Sequence, residues 1–236
     1  MTWVTANSPL ADLNPALRDK LERLVAQLAD ARAPTTVRVP GDAWRVHIAD
    51  SLSAMEVEAL TKAGTIADVG AGAGFPGLVL ALALPLARVD LIEATARKCE
   101  FMRRAIAEVG IDDARVIHAR SEEWAAQPPP SAGREAYDAV TARAVGRLAT
   151  LAELASPLLR DGGTLVAWKG RRDEDEDAEL ERAAPRLAME PVQVRWVGPY
   201  AGSENRHLHV LRKSGPTPEG LPRRPGIAKK RPLGAS

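Results

Sequence analysis

The stretch that decides the fold is Asp68–Gly77, DVGAGAGFPG, which holds four glycines among ten residues. A short apolar run at 65–69 and a helical pattern at 76–84 overlap it, so the sequence predicts a strand, a tight turn and a helix. Glycine loses the most backbone freedom on folding, so such a run is costly unless the chain needs positive φ or a ligand approaches the backbone. A glycine-rich turn that opens a helix predicts a site for an anionic or nucleotide ligand, because the first N–H groups of a helix lack partners within it.

The composition is that of an ordinary globular protein. Of the 236 residues, 45% are hydrophobic and 27% are charged. The single cysteine, Cys99, excludes an internal disulfide and a multi-cysteine metal site, and it fits a reducing cytoplasm. The longest apolar run, 77–87, is too short to span a bilayer, and the N-terminus has no signal-peptide pattern. We therefore expect a cytoplasmic, monomeric protein with neither a membrane nor a metal as partner.

Charge is unevenly distributed along the chain. The segment 212–236 holds seven Lys/Arg and one Glu, a net charge of +6, whereas the preceding 211 residues hold 25 basic and 30 acidic side chains. A basic tail on a mildly acidic body favours a polyanionic partner, and a solubilising disordered tail explains the charge equally well. The last 23 residues contain five prolines and four glycines, which predicts an extended or flexible segment.

From residue 65 onward, strand patterns alternate with helical patterns. Strands are predicted at 65–69, 87–93, 114–119, 137–142 and 163–168, and helices at 76–84, 95–109, 121–126 and 147–159. This alternation is typical of a parallel sheet with helices on both faces. Two further strands, 192–197 and 207–212, are joined by a loop too short for a crossover helix, so we expect them to pair antiparallel.

The N-terminal segment is predicted to be helical. Asn14 and Pro15 have the residue types of an N-cap followed by a first helical position, and leucines follow at helical spacing from Leu17 to Leu28. A second helix is predicted over 43–60. We therefore divide the chain into a helical segment, 1–62, an α/β domain, 63–213, and a basic tail that we expect to be flexible, 214–236.

Two ligands fit the glycine turn. Gly72, Gly74 and Gly77 match the dinucleotide pattern GxGxxG, which favours an NAD(P)-dependent oxidoreductase. Asp68 followed by Gly70-x-Gly72-x-Gly74 resembles the first motif of class I S-adenosylmethionine-dependent methyltransferases more closely. An acid that ends the second strand holds the cofactor ribose in both classes, and Glu93 has that position, so it does not discriminate. The antiparallel last strand favours a methyltransferase.

Further stretches make the resemblance more specific. The glycine turn with its Phe-Pro-Gly continuation resembles the RsmG (GidB) family of bacterial ribosomal RNA methyltransferases, and six other stretches resemble that family in the same order. They are HIADSL (47–52), RSEE (120–123), TARAV (141–145), WKG (168–170), RHLHVL (206–211) and the tail from 215. The resemblance implies methyl transfer from S-adenosylmethionine to N7 of one guanosine of 16S rRNA near the decoding centre, with the 30S subunit as partner.

The resemblance also implies a fold and a cofactor site. The fold is Rossmann-like, with a seven-stranded, mostly parallel sheet, an antiparallel last strand and an N-terminal helical extension. The expected cofactor-binding residues are Gly70, Gly72, Gly74, Phe75, Glu93, Ser121, Glu122 and Arg143. Where the family has Arg directly before the His of HIADSL, this chain has Val46. Arg45 stands one place earlier, and on a helix that offset rotates a side chain by about 100°.

The expected chemistry needs no strong base, because guanine N7 attacks with a lone pair that lies in the ring plane. The enzyme must align N7 with the methyl group and exclude water. Cations at the carboxyl ends of the strands suit a polyanionic substrate, and we place Arg143, Arg206, Lys169 and Arg120 at the catalytic mouth. The cations expected to hold RNA are Arg206, Arg223, Arg224, Lys229, Lys230 and Arg231. Among the histidines, His47 is the best candidate for a direct role.

Two other classes of protein remain as alternatives to an rRNA methyltransferase and the oxidoreductase. One is a non-catalytic RNA-binding protein on the same fold, which would be expected to have lost the glycine turn or the ribose acid. The other is a methyltransferase that acts on a protein or a small molecule, against which the basic tail argues.

Overall fold

The structure, a computed structural model, describes residues 13–127 and 133–234. Within these ranges seven strands form one sheet in the order β3-β2-β1-β4-β5-β7-β6. The strands are β1 Thr65–Val69, β2 Arg88–Glu93, β3 Ala114–His118, β4 Tyr137–Arg143, β5 Leu159–Lys169, β6 Met189–Trp196 and β7 His207–Lys213. β7 runs antiparallel to β5 and to β6, and the pairs among β1 to β5 are parallel. The predicted alternation and the antiparallel last pair are confirmed.

Alternate residues of the strands face two separate cores, as the period-2 geometry of a strand requires. Ile66 and Val89 pack with the N-terminal helices and with α5 and α6, whereas Ala67 and Val140 pack with α7, α8 and α9. The helices are α1 Pro15–Gln27, α2 Pro40–Ala43, α3 Asp50–Leu52, α4 Glu58–Thr61, α5 Gly77–Ala83, α6 Ala96–Val109, α7 Ser121–Ala126, α8 Leu148–Ala155, α9 Glu174–Ala183 and α10 Ile227–Lys230. The carboxyl ends of β1 to β5 meet at one edge, where the helix starts and loops form a cleft.

The helix α1 starts as its sequence predicts. The side chain of Asn14 accepts a hydrogen bond from Leu17 N at 2.8 Å, and Pro15 occupies the first helical turn. Leu21 and Leu24 are fully buried in the same core as β1 and β2. The N-terminal helical segment therefore packs directly on the sheet and forms part of its core.

The prediction of one continuous helix over 43–60 was wrong. The chain forms α2, a π-helical turn Trp44–Ala49, α3, a 3-10 turn Ser53–Glu56 and then α4. A π turn adds a residue per turn relative to an α-helix, and such turns occur often at functional sites. Here the π turn buries His47, while Arg45 stays exposed in an ion pair with Asp42. Arg45 therefore does not replace the arginine that the family has next to this histidine.

The expectation of a flexible tail is corrected, because residues 214–234 pack against the body of the protein. Leu221 and Ala228 are buried, and Leu221 belongs to the core formed by α8 and α9. Arg223 makes two hydrogen bonds to Glu153, from Nε to Oε1 at 2.6 Å and from Nη2 to Oε2 at 2.5 Å. The proline and glycine content indicated an extended path, but a few buried apolar residues and one ion pair are enough to fix that path on α8.

Among the residues that the structure describes, none of the helices combines the length and apolarity that crossing a bilayer requires. The same residues contain no group of three or more His, Cys, Asp or Glu side chains arranged to hold a metal ion.

Candidate cofactor and substrate site

The turn after β1 has the conformation that its glycines suggest. Gly70, Gly72 and Gly74 all have positive φ, at 68°, 62° and 94°. A Cβ atom on Gly70 would lie 2.8 Å from Val145 Cγ2, and one on Gly74 would overlap Leu78, so packing alone forbids side chains there. At Gly72 the nearest atom is the carbonyl oxygen of Gly70, at 3.7 Å. Open space above Gly72 is what a cofactor that approaches the backbone needs.

Asp68, the acid of the motif, holds the turn together from below. It is fully buried, and its carboxyl group accepts hydrogen bonds from Thr141 Oγ1 at 2.9 Å and from Gly77 N at 3.0 Å. Burial raises the pKa of Asp68 to about 7, although the hydrogen bonds from Thr141 and Gly77 act in the opposite direction. Asp68 therefore connects β1 to the start of α5 and supports the turn without reaching the ligand side.

Glu93 lies beside the glycine turn, because β2 pairs with β1 and ends at the same edge. Its Oε2 atom accepts a hydrogen bond from Gly72 N at 3.1 Å, and its Oε1 atom accepts one from Thr95 N at 2.8 Å. Lys98 Nζ lies 3.6 Å from Oε2. Burial opposes ionisation, but hydrogen bonds from Thr95, the charge of Lys98 and the bond from Gly72 together lower the pKa of Glu93 below its ordinary value. The carboxylate is thus ionised and can accept hydrogen bonds from ribose hydroxyls.

Ser121 and Glu122 begin α7, at the end of β3. Ser121 Oγ donates to Glu122 Oε2 at 3.2 Å, and Glu122 Oε1 accepts a hydrogen bond from Gly226 N, in the tail, at 2.8 Å. Glu122, one of the expected cofactor-binding residues, is therefore in contact with the C-terminal segment, which the sequence alone did not indicate.

Arg120 is separated from the other cations expected at the mouth. Its backbone N–H donates to Glu123 Oε2 at 3.1 Å, which caps α7. β3 lies three strand positions from β4, about 14 Å at the usual strand spacing. The structure therefore places Arg120 at the β3 end of the cleft, away from Arg143.

Arg143 ends β4 and contacts several groups at once. Its Nη1 donates to Val46 O at 2.9 Å and to Asp50 Oδ2 at 2.8 Å. Its guanidinium carbon lies 5.9 Å from the centre of the Phe75 ring. That ring stacks on His47 with centroids 4.4 Å apart and planes 11° apart. Arg143 and Phe75, both expected at the cofactor, therefore meet in one cluster with the N-terminal segment.

His47 is a neutral acceptor in this cluster. Burial, together with the nearby charge of Arg143, lowers its pKa to about 4. Its Nδ1 atom lies 3.2 Å from Arg143 Nη2, and a guanidinium group has donors but no acceptor, so Nδ1 must accept. Nε2 then carries the proton and donates to Thr35 Oγ1, 3.1 Å away. His47 therefore orients Arg143.

Asp50 was not among the predicted site residues, yet it lies between the two arginines expected at the mouth. It is buried, and Arg206 Nε approaches its Oδ1 atom to 3.7 Å on the side opposite Arg143. That oxygen has no hydrogen-bond partner among the described residues. The Asp50 carbonyl oxygen accepts a hydrogen bond from Trp168 Nε1 at 2.8 Å. The stretch HIADSL held the signal, since it puts a carboxylate one helical turn after His47.

Lys169 and Arg206 reach the same cavity as Arg143. Arg206 Nη2 donates to Tyr200 OH at 3.2 Å, and Lys169 Nζ bonds Gly146 O at 3.0 Å and Glu176 Oε1 at 2.7 Å. The cavity has a volume of about 170 Å³ and is lined by Asp50, Arg143, Ala144, Trp168, Lys169, Gly170 and Arg206. Three of the four cations predicted for the mouth are thus brought together, with Asp50 among them.

The cations of the tail differ in whether their charged groups are bound by other residues. The guanidinium of Arg223 is engaged by Glu153 and by Arg231 O, at 2.8 Å. The side chains of Arg224, Lys229, Lys230 and Arg231 are exposed and form no ion pair with the described part of the chain. Gly226 contacts Glu122 at the start of α7, and Ala228 O accepts from Thr150 Oγ1 in α8 at 3.3 Å. The tail therefore crosses from α7 to α8 close to the carboxyl edge of the sheet.

Comparison with known sequences identifies a matching family. A family model described as rRNA small subunit methyltransferase G matches residues 17–208. A protein of Rubrobacter xylanophilus named ribosomal RNA small subunit methyltransferase G is 42% identical over 218 residues, which cover 90% of this chain and 82% of that protein. A protein of the same name from Chloroflexus aggregans is 42% identical over 204 residues, which cover 84% of this chain and 82% of that protein.

Comparison with solved structures supports the fold. A mutant of MtNAS in complex with S-adenosylmethionine aligns with a TM-score of 0.55 and 12% identity, over 84% of this chain and 75% of that one. The Methanococcus jannaschii fibrillarin pre-rRNA processing protein aligns with a TM-score of 0.54 and 17% identity, over 71% of this chain and 74% of that one. At these identities the likeness concerns the fold alone. The predicted fold, a class I methyltransferase sheet with an N-terminal helical extension, is confirmed.

Proposed function

Because this chain belongs to the rRNA small subunit methyltransferase G family, we propose that it methylates N7 of a single guanosine of 16S rRNA near the decoding centre. Family membership gives the enzyme class and its cofactor, S-adenosylmethionine, as the sequence predicted. The base, its atom and its position are the proposal. The proposed partner is the 30S subunit or its RNA, and we expect the enzyme to act as a monomer in the cytoplasm.

The substrate in this proposal is supported by family membership, and the cofactor site is supported by the open space above Gly72, next to the ionised Glu93. The positive φ of Gly72 turns its N–H toward Glu93 Oε2, and no protein atom fills the position that a Cβ would take. S-adenosylmethionine, when bound, supplies an electrophilic methyl group on a sulfonium. In the proposed arrangement Gly70, Gly72 and Gly74 contact the methionine part, Glu93 holds the ribose, and Ser121 and Glu122 contact the adenine.

The dinucleotide alternative fits the turn less well. In the GxGxxG pattern the third glycine would be Gly77, whose N–H is already bound to Asp68. A Cβ on Gly77 would lie 2.7 Å from Asp68 Oδ2, so the close packing of this acid accounts for the glycine. The pattern match to a nicotinamide enzyme therefore has a structural explanation within β1 and α5.

Attack by N7 needs no general base, and His47 is not arranged to act as one. His47 Nδ1 is occupied by Arg143, and its other nitrogen carries a proton. Arg143 is held in place by Asp50, Val46 and His47, next to the ring of Phe75. We expect the negative charge of Asp50 to offset the charges of Arg143 and Arg206, so that these two cations do not oppose the positive charge that the methylated base gains.

The cations that hold the RNA are proposed to lie on both sides of the mouth. Arg206 borders the cavity directly, and Arg224, Lys229, Lys230 and Arg231 are displayed by the packed tail. Because these contacts go to phosphates, binding should weaken steeply with salt. The ion pair with Glu153 gives Arg223 a structural role, so we assign it to anchoring the tail and not to the RNA surface.

The test is a methyl-transfer assay with 30S subunits from a strain that lacks the modification. We expect one 7-methylguanosine per subunit by mass spectrometry, formed only when S-adenosylmethionine is present. Methylation at another atom or base would overturn the N7 assignment, and binding to 30S subunits without methyl transfer would favour the non-catalytic RNA-binding alternative. Transfer to a protein or a small molecule, with 16S rRNA left unmodified, would overturn the substrate class.

A further inference from the structure

Trp196, the last residue of β6, is a large aromatic side chain that is fixed in position yet exposed. It is 61% exposed, while its Nε1 donates to Glu204 O at 3.0 Å. The ring lies over Gly198, where a Cβ atom would come within 2.9 Å of Trp196 Cη2. The hydrogen bond and the glycine beneath the ring hold the indole in one orientation. An indole that is held in one orientation and leaves its ring in water can offer that ring to a partner at little cost in side-chain entropy.

The position of Trp196 connects it to the mouth. β6 and β5 both pair antiparallel with β7, so they run in the same direction and β6 also ends at the carboxyl edge. His207 is the register partner of Lys169 on one side and of Trp196 on the other. Trp196 therefore lies two strand positions, about 10 Å, from Lys169. The segment 197–206 links Trp196 to Arg206, which borders the cavity that holds Asp50 and Arg143.

A second cavity of about 520 Å³ opens beside the indole. It is lined by Ser53, Glu56, Arg195 and residues 196–204. This volume is within the range of small-ligand sites, about 300–1,000 Å³. Arg195 donates to Glu56 from Nε at 2.8 Å, so the charge of the one cation in the lining is compensated. The chemistry of the cavity thus favours the flat face of a base over a phosphate group. Tyr200, which lines this cavity, accepts a hydrogen bond from Arg206, which lines the cavity at the mouth.

We infer that Trp196 and the 197–204 loop form a subsite that stacks an unpaired base of the RNA next to the base held in the mouth. This inference rests on the proposed function, since it needs an RNA substrate. Bases that leave a helix stack readily on aromatic side chains, and stacking tolerates any base because every base has a π-face. Stacking of a neighbour at Trp196 would keep the strand open and present the target base to the mouth, while Arg206 holds the phosphate between the two bases.

The experiment compares Trp196→Ala, Trp196→Phe and Val192→Ala. Val192 is a matched control, because it is 59% exposed on the same strand but lies four residues before the carboxyl edge. KM for 30S subunits, kcat, S-adenosylmethionine affinity and thermal melts are measured for each variant. Trp196→Ala should raise KM about five- to a hundred-fold, in line with the usual worth of one base stacked on an aromatic side chain. Trp196→Phe should recover most of this loss, and Val192→Ala should match the wild type.

The outcomes separate this inference from the proposed function. A wild-type enzyme that does not methylate 30S subunits refutes the proposed function and leaves no substrate for the subsite. With an active wild type, an unchanged KM in Trp196→Ala refutes the subsite alone. Equal losses in the Phe and Ala variants, or a loss that tracks a lower melting temperature, would show that the indole supports the loop and does not stack a base. An altered oligomeric state with unchanged KM would instead make this face a contact between copies of the chain, and would also refute the subsite.

Discussion

Arg143 Nη1 lies 2.8 Å from Asp50 Oδ2, so the end of β4 is joined to the N-terminal helical segment by a buried ion pair. Two arginines that converge on one mouth repel each other unless an anion lies between them. Asp50 supplies that anion, because Arg206 approaches its other oxygen. The N-terminal helical segment therefore forms part of the mouth. It contributes the Asp50 carboxylate, the Val46 carbonyl oxygen and His47 Nδ1, which together orient Arg143.

Arg143→Lys should reduce methyl transfer far more than it reduces stability. Lysine keeps the charge but cannot contact Val46 O, Asp50 and His47 together as the planar guanidinium does. Methyl-transfer assays on 30S subunits beside thermal melts test this. Arg206→Lys is the companion variant. It should weaken substrate binding but leave the contacts of Arg143 intact. Full activity in both variants would remove these arginines from the mechanism.

Gly72→Val should abolish S-adenosylmethionine binding while the protein stays folded. The branched side chain would fill the space above the turn, which the protein itself leaves open. Gly110→Val is the matched control, because Gly110 also has positive φ, 72°, with nothing within 4 Å of a Cβ, but it ends α6 away from the turn. Of the two variants, Gly110→Val should bind the cofactor in calorimetry and Gly72→Val should not. Equal binding by both variants would contradict the placement of the cofactor at Gly72.

Glu93→Ala should weaken S-adenosylmethionine binding about ten- to a hundred-fold, because hydrogen bonds to charged groups are worth about 1.5–3 kcal/mol. Removing the carboxylate also leaves the N–H groups of Gly72 and Thr95 without their acceptor. Calorimetric titration measures the loss. Unchanged affinity would mean that another acid holds the ribose. Asp90, on the same strand, is not available for this role, because its carboxylate already accepts hydrogen bonds from Arg115 at 2.7 Å and from Tyr137 OH at 2.7 Å.

Arg223→Ala should destabilise the protein by roughly 3–5 kcal/mol, because it leaves the buried carboxylate of Glu153 without its partner. Lys229→Ala with Lys230→Ala should change stability by only about 0.5 kcal/mol or less per residue, since both side chains are exposed. Urea titrations measure the difference. Removing the two lysines should instead make binding to 30S subunits less sensitive to salt. An unchanged salt dependence would show that Lys229 and Lys230 do not contact the RNA.

Acidification should destabilise the protein through His47. Its folded-state pKa of about 4 lies below the ordinary 6.5, so between these values the unfolded chain binds more protons and stability falls as pH falls. Asp68, with a pKa raised to about 7, has the opposite effect over an overlapping range. The measurement is therefore the difference between the wild type and His47→Gln in melts from pH 7 to pH 4. A constant difference across this range would contradict the assignment of a neutral, buried His47.

The sequence by itself determined the order of strands and helices from residue 65 onward, the glycine turn, the acid that ends β2 and the reversed last strand. These features depend on local patterns, namely apolar periodicity, glycines that require positive φ and loops too short for a crossover. Glu93 could be placed beside Gly72 because the carboxyl ends of neighbouring parallel strands share an edge. Composition could not show whether the tail packs. A basic segment rich in proline and glycine has the composition of a flexible tail even when it is held against the protein.

Only the tertiary structure decided which distant side chains meet. Asp50 and Arg143 are 93 residues apart, and they touch because a π turn, which no pattern in 43–60 indicated, aims one face of the helical segment at the end of β4. The packing of Leu221 in the core of α8 and α9 holds the tail beside Glu122, and the strand order separates Arg120 from the mouth. The physical reason is that contacts between distant segments depend on how complementary surfaces pack together, which is a property of the whole folded chain and not of any local stretch.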